Sequence, residues 1–510
     1  MLVIIGECFT NYIQLPNLEQ FNIFKLNPEI MIITKRRIGL FLGPITFLIV
    51  LLFFHPEGLN KQGNAVLASV IWIAIWWITE ALPIAVTALL PIVLFPLSGG
   101  LSLSQTTATY GHKFIFLFIG GFILAIAIEK WNLHKRIALS IIRIVGTNKV
   151  RIILGFMAAT ALLSMWISNT ATAVMILPVG IAIILQVKDN PNSTENENAL
   201  FSKALMLAIA YSASIGGMAT LIGTPPNMIL AGVVEESYGV EISFFQWFSF
   251  GLPLSIVLLF IAWVYLTKYA FNFKQKDFPG SKNEIEKQLK RLGKISYEEK
   301  SIFYVFVLTA FAWISRKFLL ERFIPNIDDT IIAICAAFIL FLLPSSKRNE
   351  PLIRWDDAVK LPWGVLILFG GGMALALGFE ESGLALWIGS KLQLLETVPI
   401  IILLLIVISA VNFITEITSN MATTAILLPV LVSLASAIGV NPYLLLVGAT
   451  VAASCAFMLP VATPPNAVVF GSGYLEINDM VKKGFWMNIT SIIILTFVIN
   501  YLLPMAWKLT

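Results

Sequence analysis

The sequence is poor in charge, in cysteine and in histidine. Asp, Glu, Lys and Arg make up only 12% of the 510 residues, whereas a soluble globular domain has about 25%. The three cysteines lie far apart, so they predict neither a disulfide framework nor a cysteine metal motif. The three histidines also lack the spacing of metal ligands. Composition therefore argues against a soluble enzyme, a metalloprotein and a disulfide-stapled domain.

Apolar residues dominate the chain instead. They make up 58% of it, the mean hydropathy is +0.87, and apolar runs of about 20 residues, long enough to cross a bilayer, recur throughout. The net charge of +5 does not indicate nucleic acid, because Lys and Arg cluster in short loops as membrane topology requires. The sequence predicts an integral, multi-pass protein of the cell (inner) membrane, surrounded by lipid.

Three basic residues at 35–37 precede the first strong apolar run, which predicts a cytoplasmic N-terminus. We find no pattern of a cleavable signal peptide in the segment before them. Residues 1–30 read poorly as either a tail or a helix, so Met31 is a plausible translation start.

The chain contains an internal duplication. Ser-Asn-Thr at 168–170 returns as Ser-Asn-Met at 419–421, an offset of 251 residues, and each copy is followed by Leu-Pro. The same offset links paired glycines at 120–121 and 371–372, and it links Glu129 to Glu380. A fixed offset over this length indicates two related halves.

A second pair of motifs follows the first. Thr-Pro-Pro-Asn occurs at 224–227 and again at 463–466, an offset of 239, and the polar segment 188–198 of the first half accounts for most of the shortening. Proline interrupts helices, because it removes a backbone donor and clashes with the preceding turn. Matching polar, proline-containing breaks in two halves are typical of the midplane site of a secondary transporter.

The apolar runs before the first motifs, at 151–165 and 398–413, are short for a span, so we predict two re-entrant hairpins with tips near 164–169 and 415–420. The predicted fold is an all-α polytopic membrane protein with about 11 transmembrane helices plus the two hairpins. If the halves have opposite orientations, it is an inverted repeat with broken helices at the midplane.

We divide the chain into alternating scaffold and transport regions. The predicted segments are an N-terminal cytoplasmic segment (1–37), scaffold helices (38–113), a first-repeat transport region (114–243), a scaffold span (244–271), a charged cytoplasmic linker (272–300), scaffold helices (301–352), a second-repeat transport region (353–484) and a C-terminal span (485–510).

The motifs offer oxygen atoms and helix ends. Carbonyl, hydroxyl and amide oxygens suit hard cations such as sodium, and helix N-termini suit anions. Neither the Ser-Asn-Thr motif nor the Ser-Asn-Met motif contains Lys, Arg or His. A bound sodium ion would therefore supply the positive charge that an anionic substrate needs. Glu416 is the only acid in these motifs, and its counterpart is Met165. It is either a proton site or a hydrogen-bonding residue of the hairpin.

Other polar and aromatic residues have less specific readings. Glu80, Glu129 and Glu380 are interpreted as interfacial or locally paired groups. Trp166 either shapes the pocket or packs, and no base, nucleophile or metal cluster lies in the apolar regions to make a membrane enzyme. An ion channel would also use broken helices, but a site duplicated within one chain favours alternating access.

The four motifs together resemble those of the divalent anion/sodium symporter family, the INDY-like carboxylate transporters, over nearly the whole chain from about Lys35. The resemblance implies a homodimer with a scaffold domain and a moving transport domain, working by an elevator-like mechanism. It implies transport of C4-dicarboxylates (succinate, malate or fumarate), citrate or sulfate with sodium as coupling ion and without an organic cofactor. Some relatives are sodium-independent exchangers, which remains an alternative.

The resemblance also implies roles for individual residues. The first sodium site would consist of Ser164, Ser168, Asn169 and the backbone at Gly223. The second would consist of Thr415, Thr418, Asn420 and the backbone at Ala462. The substrate would contact Asn169 and Thr170 on one side and Asn420 and Met421 on the other, with the pocket closed by Thr224, Pro225, Thr463 and Pro464. Met421 departs from the doubled Ser-Asn-Thr pattern and replaces a hydroxyl donor with an apolar group.

Overall fold

The computed structural model describes residues 28–145, 148–188, 195–271, 273, 281–346 and 350–509. These residues form helices and connecting turns, with one isolated backbone bridge between Pro344 and Pro351. The predicted all-α fold is therefore confirmed. Most of the predicted N-terminal segment 1–37 and most of the polar stretch 188–198 lie outside the described residues.

Side-chain caps mark several helix starts of the first half. Asn60, Asn148 and Ser243 each accept a hydrogen bond from the amide three residues later, which satisfies one of the free donors at a helix N-terminus. The helices of this half are α1 (Pro28–Phe53), α2 (Lys61–Thr79), α3 (Ile84–Thr87), α4 (Leu90–Ser98), α5 (Leu103–Ala108), α6 (Lys113–Lys130), α7 (Leu133–Val145), α8 (Lys149–Ser164), α9 (Asn169–Lys188), α10 (Glu195–Gly217), α11 (Pro225–Tyr238) and α12 (Phe244–Val264).

The charged segment between the halves is partly helical, because its Glu, Lys and Gln residues have high helix propensity. Helix α13 occupies 281–291, and a capping box of Ser296 and Glu299 then begins α14. The helices that follow α12 are α13 (Ser281–Arg291) in this segment and, in the second half, α14 (Tyr297–Ser315), α15 (Asp329–Leu342), α16 (Trp355–Ala358), α17 (Trp363–Glu381), α18 (Leu384–Leu392), α19 (Ile400–Thr415), α20 (Asn420–Ile438), α21 (Pro442–Ala453), α22 (Pro464–Phe470), α23 (Ile477–Phe497) and α24 (Leu503–Trp507).

Nine helical stretches within the described residues are long and apolar enough to cross a membrane. Four shorter apolar helical stretches accompany them: Ile84–Ser98, Asp329–Leu342, Ile400–Thr415 and Pro442–Ala453. Two of these, α19 and α21, belong to the predicted hairpin and broken helix of the second half. The count of eleven spans stays a prediction.

The duplicated glycines lie where helices approach most closely. A Cβ built on Gly120 would lie 2.6 Å from the backbone of Ala333 on α15. A Cβ built on Gly371 would lie 2.6 Å from the backbone oxygen of Ala88. Both distances are far below van der Waals contact, so only glycine allows these helices to approach so closely, as expected for small residues between membrane helices.

Each half contains a helical hairpin followed by a broken helix. The hairpins are α8/α9 and α19/α20, and the broken helices are α10/α11 and α21/α22. In each broken helix the first fragment packs against its own hairpin, whereas the second fragment packs against the hairpin of the other half: α11 contacts α20, and α22 contacts α9. This exchange brings both predicted motif pairs into one central region of the protein.

Candidate functional site

The tip of the first hairpin gathers three oxygen atoms. Ser164 ends α8 and Asn169 begins α9. Ser164 Oγ lies 2.7 Å from Asn169 Oδ1 and 2.7 Å from the backbone oxygen of Ala213 on α10. A serine hydroxyl has one proton, so it can donate to only one of these oxygens at a time. The cluster is rich in oxygen and short of protons, an arrangement that suits a hard cation.

The tip of the second hairpin repeats this arrangement with a threonine. Thr415, which is 251 residues after Ser164, ends α19, and Asn420 begins α20. Thr415 Oγ1 lies 2.6 Å from Asn420 Oδ1 and 3.1 Å from the backbone oxygen of Ala453 on α21. The duplication inferred from the sequence therefore extends to side-chain geometry, and the structure brings together these two predicted pairs of site residues.

The broken segments are held in place by asparagines whose contacts sequence reasoning did not anticipate. Asn227 Nδ2 donates to the backbone oxygens of Thr220, at 2.8 Å, and Gly217, at 3.4 Å. In the second half, Asn466 Nδ2 donates to the backbone oxygen of Leu459 at 2.9 Å. Both asparagines are visible in the sequence as the last residue of a Thr-Pro-Pro-Asn motif. Their partners could not be predicted, because these are backbone oxygens in segments without a sequence motif.

These two asparagines share a feature of their side-chain oxygens. Both side chains are fully buried, and within the described part of the chain neither Oδ1 atom has a hydrogen-bond partner. A buried oxygen without a donor costs about 1–3 kcal/mol. The same unpaired amide oxygen thus occurs at equivalent positions of both halves.

The paired prolines begin helices rather than end them. Thr224 and Thr463 are the N-caps of α11 and α22, and Pro225 and Pro464 are the first helical residues. Our expectation that the prolines stop a helix is therefore wrong in this respect, because a helix does not need the amide of its first residue. Thr463 Oγ1 accepts a hydrogen bond from the amide of Asn466 at 3.2 Å.

The other predicted site residues lie next to these clusters or at their edges. Gly223 and Ala462 are buried directly before the capping threonines. Ser168 is exposed, and its hydroxyl accepts from the amide three residues later in α9. Thr418 is buried, and its hydroxyl donates to the backbone oxygen four residues earlier. The recorded contacts of Ser168 and Thr418 are thus with helix ends.

The two residues that follow the asparagines differ in chemistry. Thr170 and Met421 occupy equivalent positions in the first turns of α9 and α20, and both are half-buried. Thr170 offers a hydroxyl, whereas the Met421 thioether is apolar and at most a weak acceptor. The two sides of the central region are therefore not equivalent toward a polar ligand.

Trp166 packs against the neighbouring helices. Its ring lies 5.9 Å from that of Phe244 and 6.3 Å from that of Trp313, nearly parallel to both. These rings belong to α12 and α14, so packing, the second of our two readings, describes its contacts. Glu416 accepts hydrogen bonds from backbone amides and from Asn488, which supports its hydrogen-bonding role over a proton site.

Helix α12, predicted as a scaffold span, donates hydrogen bonds to the first broken helix. Trp247 Nε1 donates to the backbone oxygen of Met218 at 3.0 Å, and Ser255 Oγ donates to that of Ile215 at 2.9 Å. A broken helix in an apolar environment needs such partners for its free carbonyls. Sequence reasoning missed Trp247, because nothing local distinguishes it from the other tryptophans.

The two oxygen clusters consist of neutral groups. Among the described residues, no Lys, Arg or His donates a hydrogen bond to the two oxygen clusters, and no group of three or more His, Cys, Asp or Glu could hold a metal. The donors present are hydroxyl, amide and backbone oxygens. They fit a sodium ion better than a transition metal, which prefers nitrogen and sulfur.

Comparisons with known proteins match the chain over nearly its whole length. A protein family described as the sodium:sulfate symporter transmembrane region matches residues 34–507. The chain is 48% identical over 473 residues to the sodium-dependent dicarboxylate transporter SdcS of Staphylococcus saprophyticus, covering 92% of this chain and 91% of that protein. It is 49% identical over 479 residues to the same-named protein of Staphylococcus aureus, covering 93% and 92%.

Solved structures support the fold alone. The YdaH transporter of Alcanivorax borkumensis aligns with a TM-score of 0.52 at 13% identity, covering 94% of this chain and 99% of that one. MtrF of Neisseria gonorrhoeae aligns with a TM-score of 0.53 at 12% identity, covering 92% and 94%.

The family match and the two relatives span nearly the whole chain, and these proteins are membrane transporters, so the enzyme hypothesis is excluded. The twin hairpins, the broken helices and the oxygen clusters are accordingly parts of a transporter. This chain belongs to the sodium:sulfate symporter family, the divalent anion/sodium symporters that its duplicated motifs resemble.

Proposed function

We propose that this protein imports C4-dicarboxylates such as succinate, malate and fumarate across the cell membrane together with sodium ions. The Staphylococcus relatives carry the name of sodium-dependent dicarboxylate transporters. The observation that carries the proposal is the pair of oxygen clusters, in which one hydroxyl proton is shared by two acceptors at each hairpin tip.

The clusters are the proposed ion sites. One would use Ser164, Ser168, Asn169 and the backbone at Gly223, and the other would use Thr415, Thr418, Asn420 and the backbone at Ala462. Since no basic side chain of the described residues bonds to these clusters, sodium supplies the positive charge that a dicarboxylate requires. Binding of the ions and binding of the anion then favour each other, which couples their fluxes.

The substrate lies between the two hairpin tips in this proposal. Asn169 and Thr170 contact one carboxylate, and Asn420 contacts the other, with Met421 beside it. Thr224, Pro225, Thr463 and Pro464 close the pocket at the starts of α11 and α22. Because Met421 lacks a hydroxyl, the side of the pocket at the second hairpin is more apolar than the side at the first. This difference contributes to the choice among divalent anions.

Movement of the central region against a frame provides alternating access. The two repeat regions, 114–243 and 353–484, form the transport unit of an elevator-type mechanism. The segments 38–113, 244–271 and 301–352 form the scaffold of a homodimer. Strongly exposed apolar side chains such as Phe41 (70%) and Leu342 (79%) face lipid or a second copy. We place the N-terminus in the cytoplasm.

Labelled succinate uptake into proteoliposomes tests the proposal. Uptake that requires an inward sodium gradient and that carries net charge supports the symporter. Uptake that requires internal dicarboxylate, and not sodium, makes the protein an exchanger and withdraws both ion sites.

Competition identifies the anion. Unlabelled malate and fumarate should inhibit succinate uptake, whereas citrate and sulfate should not. If citrate or sulfate proves to be the transported anion, the C4-dicarboxylate assignment is wrong and Met421 is the first position to examine. The double variant of Asn169 and Asn420 to alanine is the negative control for every assay.

A further inference from the structure

Glu416 binds the second broken segment by its backbone amides. The Oε1 atom accepts from the amides of Phe457, at 2.8 Å, and Met458, at 3.0 Å, and the Oε2 atom accepts from the amide of Leu459 at 3.0 Å. The side chain is only 3% exposed. Three successive amides directed at one carboxylate form an anion-binding arrangement whose anion belongs to the protein itself.

Asn488 on α23 completes the surroundings of this carboxylate. Its Nδ2 donates to Glu416 Oε1 at 2.7 Å, and its Oδ1 accepts from the amide of Phe457 at 3.2 Å. All four partners of Glu416 are donors, a set that suits an ionised carboxylate, which only accepts. In the described part of the chain, no Lys, Arg or His forms an ion pair with it.

The broken segment of the first half is held without an acidic side chain. Met165 stands at the equivalent position, and its backbone oxygen accepts from the hydroxyl of Thr220 in the broken segment. The amides of Met218 and Ala219 there bond to carbonyls three residues earlier, at 3.3 and 3.0 Å, within a turn. Among the described residues at this pair of equivalent positions, an acidic side chain therefore contacts only the second broken segment.

The second segment is held from both sides. Its amides at 457–459 point to Glu416, while the backbone oxygens of Ala456 and Leu459 accept from Asn466 at 3.2 and 2.9 Å. The segment lies between Ala453, whose oxygen belongs to the second cluster, and Ala462. Fixing its amides also fixes the direction of the carbonyls on either side.

We propose that Glu416 is a positioning residue for the second ion site. Its carboxylate holds segment 456–459 so that the backbone oxygens of the site face the ion, and its charge favours a cation at this site over the first. The two sodium sites are consequently unequal, and the second binds its ion more tightly. This inference rests on the proposed sodium coupling and adds to it which site is stronger and why.

Glu416→Gln tests the inference with a side chain of the same shape. The glutamine side chain is uncharged, and an NH2 group replaces one of the two carboxylate oxygens. One backbone amide of the segment then faces a donor and loses its acceptor. Because hydrogen bonds to a charged group are stronger than those to a neutral one, we expect half-saturating sodium to rise roughly tenfold. The succinate KM at saturating sodium should change less than about threefold, since the substrate groups are untouched.

Two further variants separate positioning from general stability. Glu129→Gln removes an acid from α6, away from the broken segments, and should leave the sodium curve unchanged. Asn488→Asp added to Glu416→Gln returns a carboxylate to the same place and should recover part of the sodium affinity. The sodium-dependent rise of the melting temperature of purified protein should rank these variants in the same order as their sodium affinity from uptake. This measurement does not depend on transport.

The outcomes are distinct from those that test the proposed function. If wild-type uptake is independent of sodium, the proposed coupling itself is wrong. If wild-type uptake is sodium-driven and Glu416→Gln has an unchanged half-saturating sodium, or loses only maximal rate, the positioning role is wrong. Should Glu416→Gln fail to reach the membrane, Asn488→Ala carries the same test, with an expected rise of about threefold and an unchanged curve as the contrary result.

Discussion

Gly217 offers a sharp test of the first ion site, because it lies against the side chain of Asn169. A Cβ at this position would lie 2.4 Å from Asn169 Oδ1 and 2.9 Å from Nδ2, whereas ordinary contacts begin at 3.4 Å. In Gly217→Ala the Asn169 side chain must therefore move by about 1 Å, since a close-packed interior offers little room. The 2.7 Å contact with Ser164 cannot survive that movement.

The expected loss follows from the displaced oxygen. A hydrogen bond lost and a ligand misplaced cost together about 1–3 kcal/mol, which corresponds to roughly 5- to 150-fold in half-saturating sodium. The measurement is succinate uptake by proteoliposomes over a range of sodium concentrations. Alanine has a higher helix propensity than glycine, so the substitution at the end of α10 should not weaken the helix itself.

Gly111→Ala is the matched control. A Cβ on Gly111 would meet nothing within 4 Å, and the residue does not have a positive φ. This variant should transport like the wild type. A sodium curve for Gly217→Ala that matches the control would refute the reasoning, because Asn169 Oδ1 could then move without consequence for the ion.

Three other predictions concern the hairpins and the linker. Asn169→Ala and Asn420→Ala should each abolish uptake while the melting temperature in sodium-free buffer stays near that of the wild type; normal uptake would place the site elsewhere. Met421→Thr should change the ratio of succinate to citrate uptake, and an unchanged ratio would make the side chain a bystander. Burial opposes ionisation of Glu298, but hydrogen bonds from Ser346 outweigh it and lower the pKa from 4.5 to about 2. Glu298 therefore stabilises the fold above about pH 4.5 and loses this effect as the pH falls toward 2, so the stability difference between wild type and Glu298→Gln should shrink over that range. A difference independent of pH would contradict this.

The duplication was the part of the site most accessible from the sequence. A fixed offset of 251 residues located Asn169 and Asn420, and the structure places each of them beside the hydroxyl that the resemblance implied. The breaks were equally visible, because polar and proline-containing stretches in apolar helices have few other uses. The helix starts at Pro225 and Pro464 were misjudged, since an N-terminal proline and an interrupting one look alike in sequence.

What the sequence could not show were contacts between distant elements. Trp247 bonds to a carbonyl 29 residues earlier, and Asn488 bonds to Glu416 72 residues earlier. Neither residue stands in a motif, and single asparagines and tryptophans are common in membrane helices for other reasons. Their partners are backbone groups and one acid, whose positions depend on how the broken helices pack.

The crossing of the broken helices has a consequence for the autonomy of each half. Since α11 packs against the second hairpin and α22 against the first, neither half encloses its own motif pair. Expressed alone, either half would leave apolar fragment surfaces and unpaired carbonyls exposed, and would hold only one of the two hairpin tips between which the substrate is proposed to lie. A half-length ancestor of this fold would have needed a second copy of itself to make one working site.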